Sequence, residues 1–259
     1  MKLSGFATIL TFVFMFAGLL GQVHAQDPRI VGMWLFEEGS GNQVADGSGN
    51  GHTGIAVDGD LEWVAGKYGT ALKFNHDNTR VHVEHNDAFN LETFTLECWV
   101  KLQSAGGDWQ TVLAKRTTGV DTTYVLEINK TGDTPRAALA SEGVWKAGLV
   151  DGTTVVTDDA WHHLATTYDG NEFKFYVNGE LEGTQQAALK LETNTAPFSI
   201  GADSYASKPI IGLIDEVRLL NVALSQDEIQ KDMTGLRPVA VEPSGKLSAK
   251  WGRIKLRYR

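Results

Sequence analysis

The sequence predicts an all-β domain, an antiparallel sandwich or barrel, on three observations. Short stretches of alternating apolar and polar residues recur at near-regular spacing, from "VGMWLFEEG" (31–39) to "IGLIDEVRLLN" (211–221). Gly, Asn and Asp turns separate them. Almost no helical periodicity interrupts them.

The elements follow in order. Behind Lys2 lie the apolar run "FATILTFVFMFAGLL" and then "GQVHA", with small residues placed for cleavage after Ala25. Residues 1–25 therefore predict a secretory signal peptide, its apolar core short for a bilayer span, and no later stretch is long and apolar enough to be one. The sole cysteine, Cys98, lies far from that site, which excludes a lipoprotein signal. Predicted strands then run through "TALKFNHD", "TRVHVEH", "FTLECWVKL", "QTVLAKR", "TYVLEINK", "RAALAS", "WHHLATTYD", "EFKFYVN" and "FSIGAD". In "FTLECWVKL", Cys98 shares a face with Phe94, Leu96 and Val100, so a buried apolar thiol is expected.

The stretch from Trp161 to Thr184 carries the clearest pattern. Phe173, Phe175 and Val177 alternate with Glu172, Lys174 and Tyr176, and Asp169-Gly170 and Asn178-Gly179 supply turns on either side. A three-strand meander follows, with His162 and His163 on opposite faces of its first strand, unable to converge on one substrate atom. One helix is predicted in "LSQDEIQKDMTG": Ser225 as N-cap, Glu228 completing a capping box, Leu224 and Ile229 as a staple, Gly235 closing the end. Residues 26–235 thus form one domain and 236–259 a basic linker and tail, read either as a disordered or edge-lying end or as a docking signal for an envelope component.

Charge narrows the partners. From totals of 23 basic and 32 acidic residues, setting aside Lys2 and a tail holding seven bases and Glu242 leaves 15 and 31, a domain charge near −16. Such a body excludes nucleic acid and anionic membrane as ligands, suits neutral glycans, and offers loop carboxylates for calcium. An exported chain with one cysteine also lacks disulfides to hold it, so it needs a real core or a metal.

Taken together, "GMWLFEEGSGNQVADGSGNGHTG", "ALKFNHDNTRVHVEH", "FTLECWVKL", "WHHLATTYDG", "FYVNG" and "IGLIDEVRLLNVALSQDEI" resemble, in order, the laminin-G-like jelly rolls of the concanavalin A-like lectin/glucanase superfamily. The resemblance runs from about Arg29 to Gly235. It implies a two-sheet antiparallel jelly-roll sandwich with a concave and a convex face, and frequently a structural calcium. The positions matching the family's calcium ligands are Glu37, Asn75 and Asp215. Glu38 or backbone carbonyls are alternatives to the first two. Asp215 is notable by itself, a carboxylate inside an apolar strand, which needs a cation, an Arg partner or turn N–H groups to satisfy it.

Other chemistries fit less well. "DGSGNGHTGIAV" has EF-hand-like offsets but Val57 where the bidentate Glu is required. His76, His82 and His85 match no common zinc spacing. No run of alternate carboxylates stands on one strand for glycoside hydrolysis. A non-catalytic binding module is the expectation, its ligand a glycan or an extracellular protein. Trp109, Trp145 and Tyr205 are the candidate ligand-binding aromatics, with Asp108, Asp203 and Lys208 as nearby polar groups; core packing of Trp109 and Trp145 is the rival reading. Trp34, Trp99 and Trp161 are expected in the core. The favoured function is an exported, calcium-supported carbohydrate-binding domain, secreted, at the cell surface or in the periplasm. A protein-adhesion or envelope-structural module is the alternative, and a polysaccharide hydrolase or lyase the third.

Overall fold

The computed structural model describes residues 27–117, 122–204 and 208–234. The signal-peptide, tail, Gly235 and Tyr205 expectations lie outside them.

Among the described residues the strands are β1 (Ile30–Trp34), β2 (Gln43–Val44), β3 (Gly54–Val57), β4 (Glu62–Ala65), β5 (Thr70–Asn75), β6 (Arg80–Val83), β7 (Phe94–Leu102) and β8 (Gln110–Arg116). They continue with β9 (Thr122–Ile128), β10 (Pro135–Ser141), β11 (Val144–Asp151), β12 (His162–Tyr168), β13 (Glu172–Val177), β14 (Glu180–Gln186), β15 (Phe198–Ile200) and β16 (Ile211–Leu220), and the helix α1 (Gln226–Asp232) follows. One sheet runs β14-β13-β12-β7-β16-β5-β4 with β1 also paired to β16; the other runs β11-β10-β9-β8-β15-β6-β3-β2. Every pairing is antiparallel. This is the jelly-roll sandwich that the resemblance implies.

Period-two alternation builds the core between the sheets. From the first sheet come Phe94, Leu96, Cys98, Val100 and Leu102 of β7, with Phe173, Phe175 and Val177 of β13; from the second come Leu126 and Ile128 of β9 and Phe198 and Ile200 of β15. The register sets Phe94 opposite Tyr168 and Tyr168 opposite Phe173, so aromatics from three neighbouring strands cluster. Burial pushes the Cys98 thiol upward, away from reactivity. Asn178 (φ 52°) and Gly179 (φ 77°) make the positive-φ turn joining β13 to β14.

Two tryptophans depart from expectation. Trp34 is fully buried and stacks on Phe198 at 5.1 Å. Trp99, by contrast, is buried on the outer face of the first sheet, against His163 and beneath the Lys67 ammonium at 4.1 Å. Its place in β7 is one residue off the core-facing parity of Cys98 and Val100. Trp161 is only half-buried, just ahead of β12.

The helix closes the outer face of the first sheet. Ser225 and Glu228 form the capping box, and Leu224 and Ile229 rest on Ala165, Tyr176 and Leu220. The two ends of the described fold meet here: Asn221 N donates to Arg29 O at 2.9 Å, and Arg29 Nη1 pairs with Glu228 Oε1 at 2.9 Å. No helix covers the outer face of the second sheet among the described residues.

Four strands escape the sequence pattern. β2, β3 and β4 are two to four residues long, and β3 lies inside the turn-rich "DGSGNGHTGIAV". β11 carries Lys146, Gly148 and a half-exposed Trp145, which breaks its alternation.

Candidate functional site

The outer face of the second sheet is set by register. One row crosses all eight strands: Leu149, Ala138, Val125, Ala114, Ser199, His82, Ile55 and Gln43. Its middle, Ala138, Val125, Ala114 and Ser199, is buried, and Trp145 and Leu149 pack against Ala114, Val125 and Ala138 at one end. The next row sets Asp151 opposite Arg136, Arg136 opposite Glu127, and Glu127 opposite Thr111.

Charged and aromatic side chains converge on this second row. Trp109, on the residue before β8, has the Arg136 guanidinium 5.1 Å, the Lys146 ammonium 5.3 Å and the Lys208 ammonium 5.6 Å from its ring centre. Trp145 has Arg116 at 5.2 Å and Lys146 at 5.7 Å. A single ammonium, that of Lys146, thus lies near both indoles. Beneath them Glu127 is almost wholly buried, its Oε2 3.7 Å from Lys208 Nζ and 4.0 Å from Arg116 Nη1. Arg116 Nη2 also lies 3.9 Å from Asp203 Oδ2. Burial pushes the Lys208 ammonium below its ordinary range; the Arg116 charge adds to that, while Glu127 and Asp203 oppose it.

Hydrogen-bonding capacity is left over here. Thr111 Oγ1, Ser199 Oγ, Glu127 Oε2, and Arg116 Nε and Nη1 are buried without a hydrogen-bond partner among the described residues. A buried polar atom without a partner costs about 1–3 kcal/mol, so a cluster of them is costly as packing alone. Trp109, Trp145, Asp203 and Lys208 are therefore brought together, while Asp108 is exposed at the margin. Neither Trp109 nor Trp145 enters the core between the sheets. Sequence reasoning missed Arg116, Arg136, Lys146 and Glu127. The signal that could have found Glu127 is a carboxylate at the end of the apolar strand "TYVLE".

The residues matched to a calcium site are only partly gathered. Asp215 is fully buried; Oδ2 accepts from Tyr68 N at 3.0 Å, capping the turn 66–69, and Oδ1 has no hydrogen-bond partner among the described residues. Burial drives its carboxyl up to about 6, the Glu37 charge pushes the same way, and turn N–H groups oppose. Glu37 sits over Gly69, where an added Cβ would fall 2.2 Å from its carboxylate. Asn75 is elsewhere. It pairs with Ile211, four residues from Asp215 along β16, and its Nδ2 donates to Glu62 at 2.9 Å. The expected trio is thus not assembled; strand register, not sequence order, separates Asn75 from the other two. Among the described residues no three His, Cys, Asp or Glu side chains stand close enough to hold a metal by themselves. His76, His82 and His85 likewise disperse, to Pro209 O, Arg80 and Lys115.

The histidine pair is scaffold. His162 Nε2 lies 3.0 Å from Asp158 Oδ1. His163, on the other face, is buried 3.8 Å from Glu97 Oε2, and burial, aided by Arg218, lowers it to about 3.

Residues 75–230 match the Laminin_G_3 family model, described as the concanavalin A-like lectin/glucanases superfamily. No curated protein matches the sequence. Among solved structures, the fold is similar to the binding domain of Paraclostridial Mosquitocidal Protein 1 (TM-score 0.66, 15% identity, covering 78% of this chain and 51% of that one). It is similar to Domain 4 of AbnA, an extracellular GH43 arabinanase from Geobacillus stearothermophilus, solved with arabinotriose (TM-score 0.59, 18% identity, 78% and 97% covered). It is also similar to the binding domain of Botulinum neurotoxin DC, solved with rat synaptotagmin II (TM-score 0.62, 11% identity, 80% and 51% covered). The chain spans about half the length of the toxin binding domains it matches.

Proposed function

The chain belongs to the Laminin_G_3 family of the concanavalin A-like lectin/glucanases superfamily, and from that premise we propose that it is an exported, non-catalytic carbohydrate-binding module. The ligand docks on the outer face of the second sheet, at the half-buried Trp109 and Trp145. The observation that carries this reading is the convergence there of Trp109 and Trp145 with buried, unfilled donors and acceptors on Arg116, Glu127, Thr111 and Ser199. Polar groups left without partners would fix a sugar's orientation once the side chains above them part, since its hydroxyls supply the missing bonds. The AbnA domain solved with arabinotriose supports the same reading by likeness of fold. Glu127 and Asp203 both stand beside Arg116, and are better suited to positioning that cation than to the acid and nucleophile roles of a glycosidase.

A calcium ion supports the fold in this reading. Asp215, with its buried unfilled Oδ1, and Glu37 beside it are the protein carboxylates that would hold it, with backbone oxygens and water completing the shell. Its role is to neutralise a buried acid and to join the first strand region to the last.

A second reading, capture of a protein, is favoured by Ile55 and Val144, exposed at 50% and 56% on the second sheet. The binding domain of Botulinum neurotoxin DC, about half of whose length this fold matches, was solved with rat synaptotagmin II, which keeps a protein ligand as the second reading.

The test is a glycan array and calorimetry with the whole protein and with Trp145→Ala. Specific glycan binding weakened at least about tenfold by the substitution is expected. A folded protein that binds no glycan but retains an extracellular protein partner would overturn the carbohydrate reading.

A further inference from the structure

The geometry points to an anionic glycan, carrying its charge on the sugar as a carboxylate or sulfate, as the ligand of the Trp109–Trp145 face. This rests on the carbohydrate-binding reading above and narrows it.

A neutral pyranose stacks its C–H surface on a bare aromatic face. Trp109 is not bare: three cations, Arg136, Lys146 and Lys208, stand 5.1–5.6 Å from its ring centre, and Trp145 shares Lys146 and takes Arg116. The indoles hold cations in place through the ring quadrupole, an arrangement strengthened where water is partly excluded. Four cations therefore gather on a domain whose overall charge is near −16. Their acidic partners are three: Glu127 for Arg116 and Lys208, Asp203 for Arg116, and Asp151 for Arg136. Lys146 has no ion-pair partner among the described residues, although it lies between the two tryptophans.

Of the charged groups without a hydrogen-bond partner, Arg116 is cationic, and the anionic Glu127 Oε2 already faces it at 4.0 Å and Lys208 at 3.7 Å. Arg116 keeps two buried donors, Nε and Nη1, without an acceptor among the described residues, and its charge bears on Lys208 beside it. An incoming oxyanion complements the cationic groups together. It supplies an acceptor for Arg116, a counter-ion for Lys146, and relief of the Arg116–Lys208 repulsion. The acidic remainder of the domain repels polyanions in general, so an anion must also fit the sugar floor to bind.

Lys146 provides the means of test. It sits at φ 61°, a left-handed conformation that asparagine adopts readily, so Lys146→Asn removes the charge without straining the backbone. Calorimetry on the full chain would compare an oligogalacturonide, a sulfated galactan oligosaccharide, the neutral galactan of equal length, and polyglutamate, at low and high salt. The expected result is that one of the two charged sugars binds at least about tenfold tighter than the neutral one. Which of them does so identifies carboxylate or sulfate as the source. Lys146→Asn and added salt should each erase most of that preference. Equal binding of neutral and charged sugars, insensitive to Lys146→Asn, overturns the inference and leaves the carbohydrate reading standing. Binding of polyglutamate as tightly as the sugars replaces it with an acidic-peptide site. Folded protein that binds none of the four overturns the inference, and the glycan array alone decides the carbohydrate reading.

Discussion

Arg218 shows how much one side chain can carry in a sandwich of this kind. It lies on the outer face of the first sheet under the helix, 3% exposed, with Nε 2.7 Å from Glu97 Oε1 and Nη2 bonded to both Glu97 and Asp232. Burial raises the Glu97 carboxyl, and Arg218 is what opposes that rise. Arg218→Met strands two acids in a desolvated layer, and a loss of about 3–5 kcal/mol in chemical denaturation is expected. His163 beside them sets an acid limit. Its folded-state value near 3 lies below the ordinary 6.5, so between those values the unfolded chain binds the extra proton and stability falls as pH falls. His163→Phe keeps the edge contact with Trp99 and removes the titration. Its stability should decline less than the wild type's between pH 6.5 and 3, whatever its stability at neutral pH. An equal slope in both proteins would show that His163 does not set the limit.

Elements differ in how far their sequences declare them. β13 was legible because its alternation is strict and an Asn-Gly turn fixes the register, so Phe173, Phe175 and Val177 fall in the core as expected. The helix was legible because its cap is local: Ser225 and Glu228 need nothing beyond three residues of chain. Ser225→Ala should cost about 1 kcal/mol in thermal unfolding, and a loss below a few tenths would mean that the contacts of Leu224 and Ile229 alone hold the helix. β11 was not legible, since Lys146 and Gly148 interrupt its pattern and only pairing with β10 makes it a strand. The binding face divides the same way. Trp109 and Trp145 stood out as aromatics in loop-like stretches, but Arg116, Glu127 and Arg136 come from separate strands that only sheet register gathers. Asn75 erred for the matching reason, because the register of β5 on β16 carries it away from Asp215.

At the scale of the whole molecule, calcium is the proposal with the widest effect. An ion held by Glu37 and Asp215 would tie the strand β1 region to β16, across most of the chain's length. At a hundredfold excess over its dissociation constant it would contribute about 2.7 kcal/mol, a rise in melting temperature of several degrees. The expected result is that chelator lowers the melting temperature of the wild type and leaves Asp215→Asn unmoved. A wild type indifferent to chelator would assign Asp215 to capping the turn 66–69 alone.

The meeting of the two ends beside the helix has a mechanical consequence. The described residues begin and end on the first-sheet side, whereas the tryptophans lie on the outer face of the second, roughly 10 Å of packed sheet away. A fusion attached at either point would hold the domain from behind, and the proposed ligand face would turn outward like the dish of an antenna. A version of the protein opened at the β13–β14 turn, with residues 27 and 234 joined by a short flexible linker, should therefore bind as the wild type does.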